Sequence, residues 1–181
     1  EDFAQMAKAD FNTVRTYTVP DTTLLDLAAQ HGLRVIIGMP WPQEGAFLDD
    51  RQLVKQIRGD ATSTVRELAS HPAVLLFAAG NEIPPGVVRW HGQSRIEDFL
   101  RTLYQDLKSS APHALLTYVN FPPTEYLDVD CYDICAFNVY LHQESNLRAY
   151  LAHLQHVAGN RPLLLAEAGA DSLREGLDGQ A

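Results

Sequence analysis

Basic residues are scarce in this chain of 181 residues: 14 Lys and Arg stand against 23 Asp and Glu, a net charge of −9. Phosphate backbones are bound by basic stripes, so no nucleic-acid partner is expected. Cysteine is nearly absent too, with only Cys131 and Cys135. They lie four apart, at the entrance to and within an apolar run. A strand would hold their Cα atoms too far apart for a disulfide. Two reduced thiols are expected, at least one of them buried, which favours a reducing compartment. No apolar run is long enough to span a bilayer, and no leader pattern is visible. The chain begins Glu1-Asp2-Phe3 without an initiator Met. It is therefore expected to be a piece of a longer protein, and the missing leader has no bearing on that parent.

Several motifs are missing as well. No G-x-G-x-x-G follows the first strand and no G-x-x-x-x-G-K-[ST] occurs, which removes the main nucleotide-binding signals. No G-x-S-x-G elbow supports a serine hydrolase. His153 and His156 have a metal-ligand spacing but no third ligand nearby, and read as a helix face. Asp128, Asp130 and Asp133 lack the Gly and terminal Glu of an EF-hand loop, and read as a solvated turn. No metal and no cofactor are inferred.

What is present is an ordinary globular composition, 46% hydrophobic and 20% charged, and a length suited to one domain, residues 1–181. Short apolar strands alternate with amphipathic helices. The pattern predicts helices over 1–10, 21–30, 49–70, 95–109 and 147–157, and strands over 13–17, 34–39, 73–79, 115–119, 132–137 and 162–166. Asp21 reads as an N-cap and Gly32 as a stop. Pro84-Pro85-Gly86 reads as a loop, the crossover over 122–130 has room for a single turn, and a further helix is expected to start after Asp171. Strands apolar on both faces belong to parallel sheets, either an open doubly wound sheet or a barrel.

Polar and aromatic residues gather at the C-terminal ends of these strands: Arg15 and Tyr17, Trp41, Asn81 and Glu82, Asn120, Asn138 and Tyr140, and Glu167. A (β/α)₈ barrel brings such ends to one rim, where its active site lies. An open sheet gathers them only near one crevice. The fold expected is thus α/β, a TIM barrel incomplete in this chain, with six strands visible. Glu82 and Glu167 each close an apolar run, where a lone carboxylate is costly. An ion pair with Arg15 would explain either one. Two facing carboxylates, one kept protonated and one ionised, are also what glycoside hydrolysis needs.

Gly80-Asn81-Glu82 at a strand end resembles the acid/base motif of the (β/α)₈ clan of retaining glycosidases, which follows that fold's fourth strand. The run from Pro162 through Ala166-Glu167-Ala168-Gly169 resembles its seventh-strand nucleophile motif. Asn12-Thr13-Val14-Arg15 resembles the second strand, whose Arg supports the nucleophile, and Phe137-Asn138-Val139-Tyr140 the end of the sixth. The likeness is greatest to the β-galactosidase and β-glucuronidase family and covers nearly the whole chain. It lacks counterparts of the first and eighth strands, and Ala168 stands where an aromatic usually precedes the Gly.

The resemblance implies a β-glycoside or polysaccharide as substrate and a double displacement. Glu167 attacks and Glu82 serves as acid, then base, with the carboxyl groups about 5–5.5 Å apart rather than the roughly 6.5–9.5 Å of inversion. It further implies that Asn81 bonds the sugar 2-hydroxyl, that Arg15 keeps Glu167 ionised and that Tyr140 orients it. Trp41 is a candidate stacking surface for sugar as well as a packing residue. Asn138 joins the substrate-binding set. Tyr17, Trp90 and His91 are weighed equally as lining or as packing and surface residues, while for His142, two past Tyr140, contact with substrate is the lesser reading. Alternatives left open are a transglycosylase using the same two glutamates and a non-catalytic carbohydrate-binding barrel. Some relatives carry such a barrel beside a glycosyltransferase domain, so further domains of the parent are expected as partners.

Overall fold

The computed structural model describes residues 1–170 together with Leu173 and Gly176. Apart from those two positions, the helix expected after Asp171 lies outside the described residues. Helix α1 (Asp2–Lys8) leads into β1 (Thr13–Thr16), α2 (Thr22–Gln30), β2 (Arg34–Gly38), α3 (Arg51–Leu68) and β3 (Val74–Asn81). Then come α4 (Pro85–His91), α5 (Gln93–Ser110), β4 (Leu116–Asn120), β5 (Ile134–Val139), α6 (Glu144–Ala158) and β6 (Leu163–Ala168).

Asp21 caps α2 as its sequence promises, accepting the Leu24 N–H. Asp50 caps α3 in the same way, through Gln52 and Leu53, so that helix starts two residues later than the apolar period indicates. The expected loop at Pro84-Pro85-Gly86 instead opens α4: Pro85 takes the first helical position, where a missing N–H costs nothing. Gly92, at φ +86°, breaks the chain between α4 and α5. The short crossover between β4 and β5 holds one 3₁₀ turn, Pro122–Thr124.

The six strands form one parallel sheet in strict chain order, β1 to β6. A doubly wound sheet reverses direction at a switch point; this one never does, and it curls as an incomplete TIM barrel. The strands sort their side chains by alternation. Phe77 and Ala79 of β3, Leu116 and Tyr118 of β4 face the layer of α2, α3, α4 and α5. Cys135, Phe137 and Val139 of β5 face α6. The opposite, concave face carries small residues, Ala78, Val119 and Ala136, with Leu164 and Ala166 beside them. Small side chains inside let the sheet curl tightly. Leu25, Val65 and Leu100 are fully buried in the outer layer, each worth about 1.5–3 kcal/mol relative to exposure.

The edge strands β1 and β6 are only half-buried along their length, whereas β4 is buried throughout. Cys131 and Cys135 are both free, Cys135 buried. Burial pushes the Cys131 thiol up to about 11 and raises Cys135 as well. Among the described residues no helix is long and apolar enough to cross a membrane.

Candidate active site

The two glutamates sit where the ladder is irregular. Ala78 pairs with Thr117 but Asn81 with Val119, so β3 carries an extra residue just before Glu82. Phe137 pairs with Leu165 but Asn138 with Glu167, so β6 carries one just before its glutamate. Such bulges bend a strand and re-aim the next side chain. Strand β6 runs to Ala168, two residues past the expected end at Ala166, so Glu167 lies within it.

Glu82 takes the left-handed backbone, φ +52°, which costs a residue with a Cβ on the order of 1 kcal/mol. Three successive N–H groups hold the turn in place. Asn81 N–H donates to Gln43 Oε1 at 2.8 Å, Glu82 N–H to the Val119 carbonyl at 2.9 Å, and Ile83 N–H to the Tyr118 hydroxyl at 2.9 Å. Gly80 makes room for this: a Cβ there would lie 3.0 Å from the Trp41 ring and 3.2 Å from Gln43.

A chain of hydrogen bonds joins the two carboxylates. Asn138 Nδ2 donates to Glu82 Oε1 at 2.8 Å and to Asn81 Oδ1 at 3.3 Å. Arg15 Nη2 donates to the same Asn81 oxygen at 2.8 Å, and Arg15 Nη1 to Glu167 Oε1 at 2.9 Å. Tyr140 donates its hydroxyl to Glu167 Oε2 at 2.6 Å. The Arg15 and Glu167 side chains are 10% and 19% exposed. Arg15 also lies over the Tyr17 ring, 4.5 Å from its centre.

Burial pushes the Glu167 carboxyl up, but hydrogen bonds from Tyr140 and Tyr17 and the charge and hydrogen bond of Arg15 outweigh it. The net result is a group held below the usual carboxylate range. The bond to Glu167, then burial, pushes Tyr140 up to about 12, so it stays a donor at any working pH. Burial, then the bond to Glu167, raises Tyr17. One carboxylate is thus kept ionised and well donated to. The other, Glu82, meets a single side-chain donor among the described residues, Asn138. Two carboxyl groups in unlike surroundings can divide nucleophilic and acid/base roles between them.

The structure brings Arg15, Asn81, Glu82, Asn138, Tyr140 and Glu167 into one network. Trp41 stands at its border. It lines a cleft of about 190 Å³ with Arg15, Tyr17, Gln43, Gly80 and Asn81. Its indole N–H donates to the Ala79 carbonyl at 2.7 Å, and its ring packs on Phe47 and Phe99, with centres 5.0 and 5.5 Å away. Asn120, another polar strand end, turns away to bond Phe121 and Thr124 of the 3₁₀ turn. Trp90 bonds Asp49, and His91 is buried against Phe47. His153 pairs with Glu125 on the α6 surface. Asp133 receives Lys108 and the Leu116 N–H. A larger cavity, about 780 Å³, lies between α3 and α5 but touches none of the rim residues.

Sequence reasoning missed Gln43, Tyr118 and Gly38. Gln43 carries no local signal, since its role is to meet Asn81 from another loop. Gly38 had one: a glycine inside an apolar strand marks a close backbone approach. A Cβ there would meet the Thr16 carbonyl oxygen at 2.6 Å.

A family model, glycosyl hydrolases family 2, TIM barrel domain, matches residues 1–179. No curated protein matches the sequence. Among solved structures the chain is similar to the β-glucuronidase of Bifidobacterium dentium complexed with coumarin-3-O-glucuronide, with a TM-score of 0.78 and 18% identity over 94% of this chain and 29% of that one. It is similar to the β-D-glucuronidase of Dictyoglomus thermophilum, with a TM-score of 0.72 and 21% identity over 94% of this chain and 32% of that one. It is also similar to the β-galacturonidase of Eisenbergiella tayi bound to galacturonate, with a TM-score of 0.72 and 18% identity over 93% and 31%. At these identities the likeness is one of fold, and the chain spans about a third or less of each of those proteins.

Proposed function

The chain belongs to glycosyl hydrolases family 2, as part of its TIM barrel domain, and on that premise we propose that its protein cleaves a β-glycoside with retention, Glu167 attacking and Glu82 acting as acid and then base. The observation that carries this is the paired surroundings of the two glutamates. Glu167 accepts from Arg15 at 2.9 Å and from Tyr140 at 2.6 Å, so it is ionised and oriented, as a nucleophile needs. Glu82 is linked to it through Asn138, Asn81 and Arg15 at the same rim.

In the first step the Glu167 carboxylate forms a bond to the anomeric carbon. The bond to the leaving oxygen breaks as Glu82 delivers its proton to that oxygen. In the second, Glu82 takes a proton from water, whose oxygen displaces Glu167. In this reading Asn81 bonds the sugar 2-hydroxyl, and Trp41 lines the same cleft as Asn81. The three solved structures named above are of enzymes named for uronic acids, so uronides belong in the substrate panel.

The test is a panel of aryl β-glycosides, β-glucuronides and β-galacturonides included, given to the complete protein. The first-formed product is expected to be the β-anomer by NMR. A 2-deoxy-2-fluoro β-glycoside should leave its sugar on the peptide that contains Glu167. An α-anomer first product, or a label elsewhere, would sink the retaining assignment.

A further inference from the structure

Asn138 makes a contact that sugar binding does not require. Its Nδ2 stands 2.8 Å from Glu82 Oε1 and 3.3 Å from Asn81 Oδ1. Asn81 Oδ1 also takes an N–H of Arg15, which fixes it as an acceptor. The Asn138 amide is therefore oriented by its surroundings. Turned over, its oxygen would face two other oxygens, and both contacts would be lost. The residue is 1% exposed, and its own Oδ1 is buried with no partner among the described residues.

We propose that Asn138 is a positioning residue for Glu82: it holds Oε1 as an acceptor, so that the proton given to the leaving oxygen rides on Oε2. The proposal rests on the reading of Glu82 as the acid/base. A glutamate at a strand end has several staggered arrangements, and few of them aim a proton at one point. An N–H on Oε1 selects among them. It also acts during the step. As the proton leaves Oε2 for the glycosidic oxygen, the electron pair of the breaking bond stays on that oxygen and negative charge grows on Glu82. The bond to Asn138 strengthens as that charge grows, so it favours departure of a poor leaving group most.

The test uses Asn138→Ala and Asn138→Asp in the complete protein, with thermal melts to show that each folds. A donor to a carboxylate favours its ionised form, so its loss keeps the acid protonated to higher pH. The alkaline limb of kcat/KM should move up by about one pH unit in Asn138→Ala, and further in Asn138→Asp, where a second charge opposes ionisation. The rate on alkyl glycosides should fall roughly tenfold or more, while activated nitrophenyl glycosides lose less. An unmoved limb with equal loss on every substrate overturns the proposal in favour of a merely structural role.

A crystal structure of Asn138→Ala decides the point without turnover. A Glu82 carboxyl turned aside or split over several rotamers supports the proposal. One that stays in its present orientation overturns it. Should the unmodified protein cleave no β-glycoside, the acid/base reading falls, while the crystal structure still decides whether Asn138 holds Glu82.

Discussion

Arg15 and Glu167 meet at 2.9 Å although they lie at opposite edges of the sheet, on β1 and β6. Arg15 also reaches the Ala166 carbonyl at 3.3 Å and Asn81 at 2.8 Å. One guanidinium thus spans the unclosed side of the half-barrel and ties both edges to the central strand that carries Glu82. Its planar fork suits this, since each arm serves a different strand.

Replacing Arg15 by Gln should therefore change both stability and its pH dependence. Glu167 sits below its usual value of 4.5. A carboxyl lowered on folding contributes stability that is full above the unfolded value and is lost as pH falls through the folded one. The variant is expected to be less stable by about 1–3 kcal/mol near neutral pH, with the gap closing below about pH 4. Urea melts from pH 3 to 8 measure it; a gap that does not depend on pH would show that Arg15 acts by packing alone.

Tyr140→Phe removes the 2.6 Å donor from Glu167 Oε2. The donor favours the ionised form, so its loss raises the carboxyl. The acidic limb of kcat/KM should shift up by about one unit, with kcat down roughly tenfold or more. Steady-state rates across pH read both, and an unmoved acidic limb would count against the assignment of Glu167.

Glu82 occupies a left-handed backbone position, φ +52°, that glycine enters freely. Glu82→Gly should be more stable than Glu82→Ala by about 1 kcal/mol, although glycine ordinarily loses such comparisons. Both variants should lose turnover. Equal melting points for the two would mean that the strain is relieved elsewhere.

Gly38→Ala puts a methyl 2.6 Å from the Thr16 carbonyl oxygen, which is backbone and cannot swing aside. Strand β1 must move, and Arg15 with it. A loss of about 1–3 kcal/mol in urea is expected, together with the acid-range change described for Arg15→Gln. Stability lost with Arg15 function intact would show that β1 yields without carrying its side chain away.

Trp41 separates two outcomes cleanly. Its N–H is committed to the Ala79 carbonyl and its ring to Phe47 and Phe99. Trp41→Phe should cost about 1–3 kcal/mol of stability, because a buried carbonyl loses its donor. KM should rise only a few-fold if the ring mainly packs. A rise of a hundredfold or more at unchanged stability would make it a sugar platform instead.

Much of the site could be read from residue order. Glu82 and Glu167 stand out because each follows a run of apolar residues that must be buried, and Arg15, Asn138 and Tyr140 because they end such runs. Helix α4 was hidden, since Pro84-Pro85-Gly86 carries turn chemistry and helix-start chemistry at once. Strand β6 runs past its expected end at Ala166, because the bulge there has no sequence mark. Asn120 read as a rim residue like the others, yet its amide closes the local turn at Thr124.

The amino-acid sequence determined by itself the parallel α/β alternation, the apolar strands and the identity of the groups at their ends, because these follow from local period and from what burial permits. It could not say that β1 and β6 curl toward one another, that Gln43 rises from a neighbouring loop to hold Asn81, or that Asn138 faces Glu82 rather than open cleft. Those relations depend on the twist and register of six strands taken together. Each strand adds a small rotation set by contacts far apart in the chain, and only their sum brings Arg15 to Glu167.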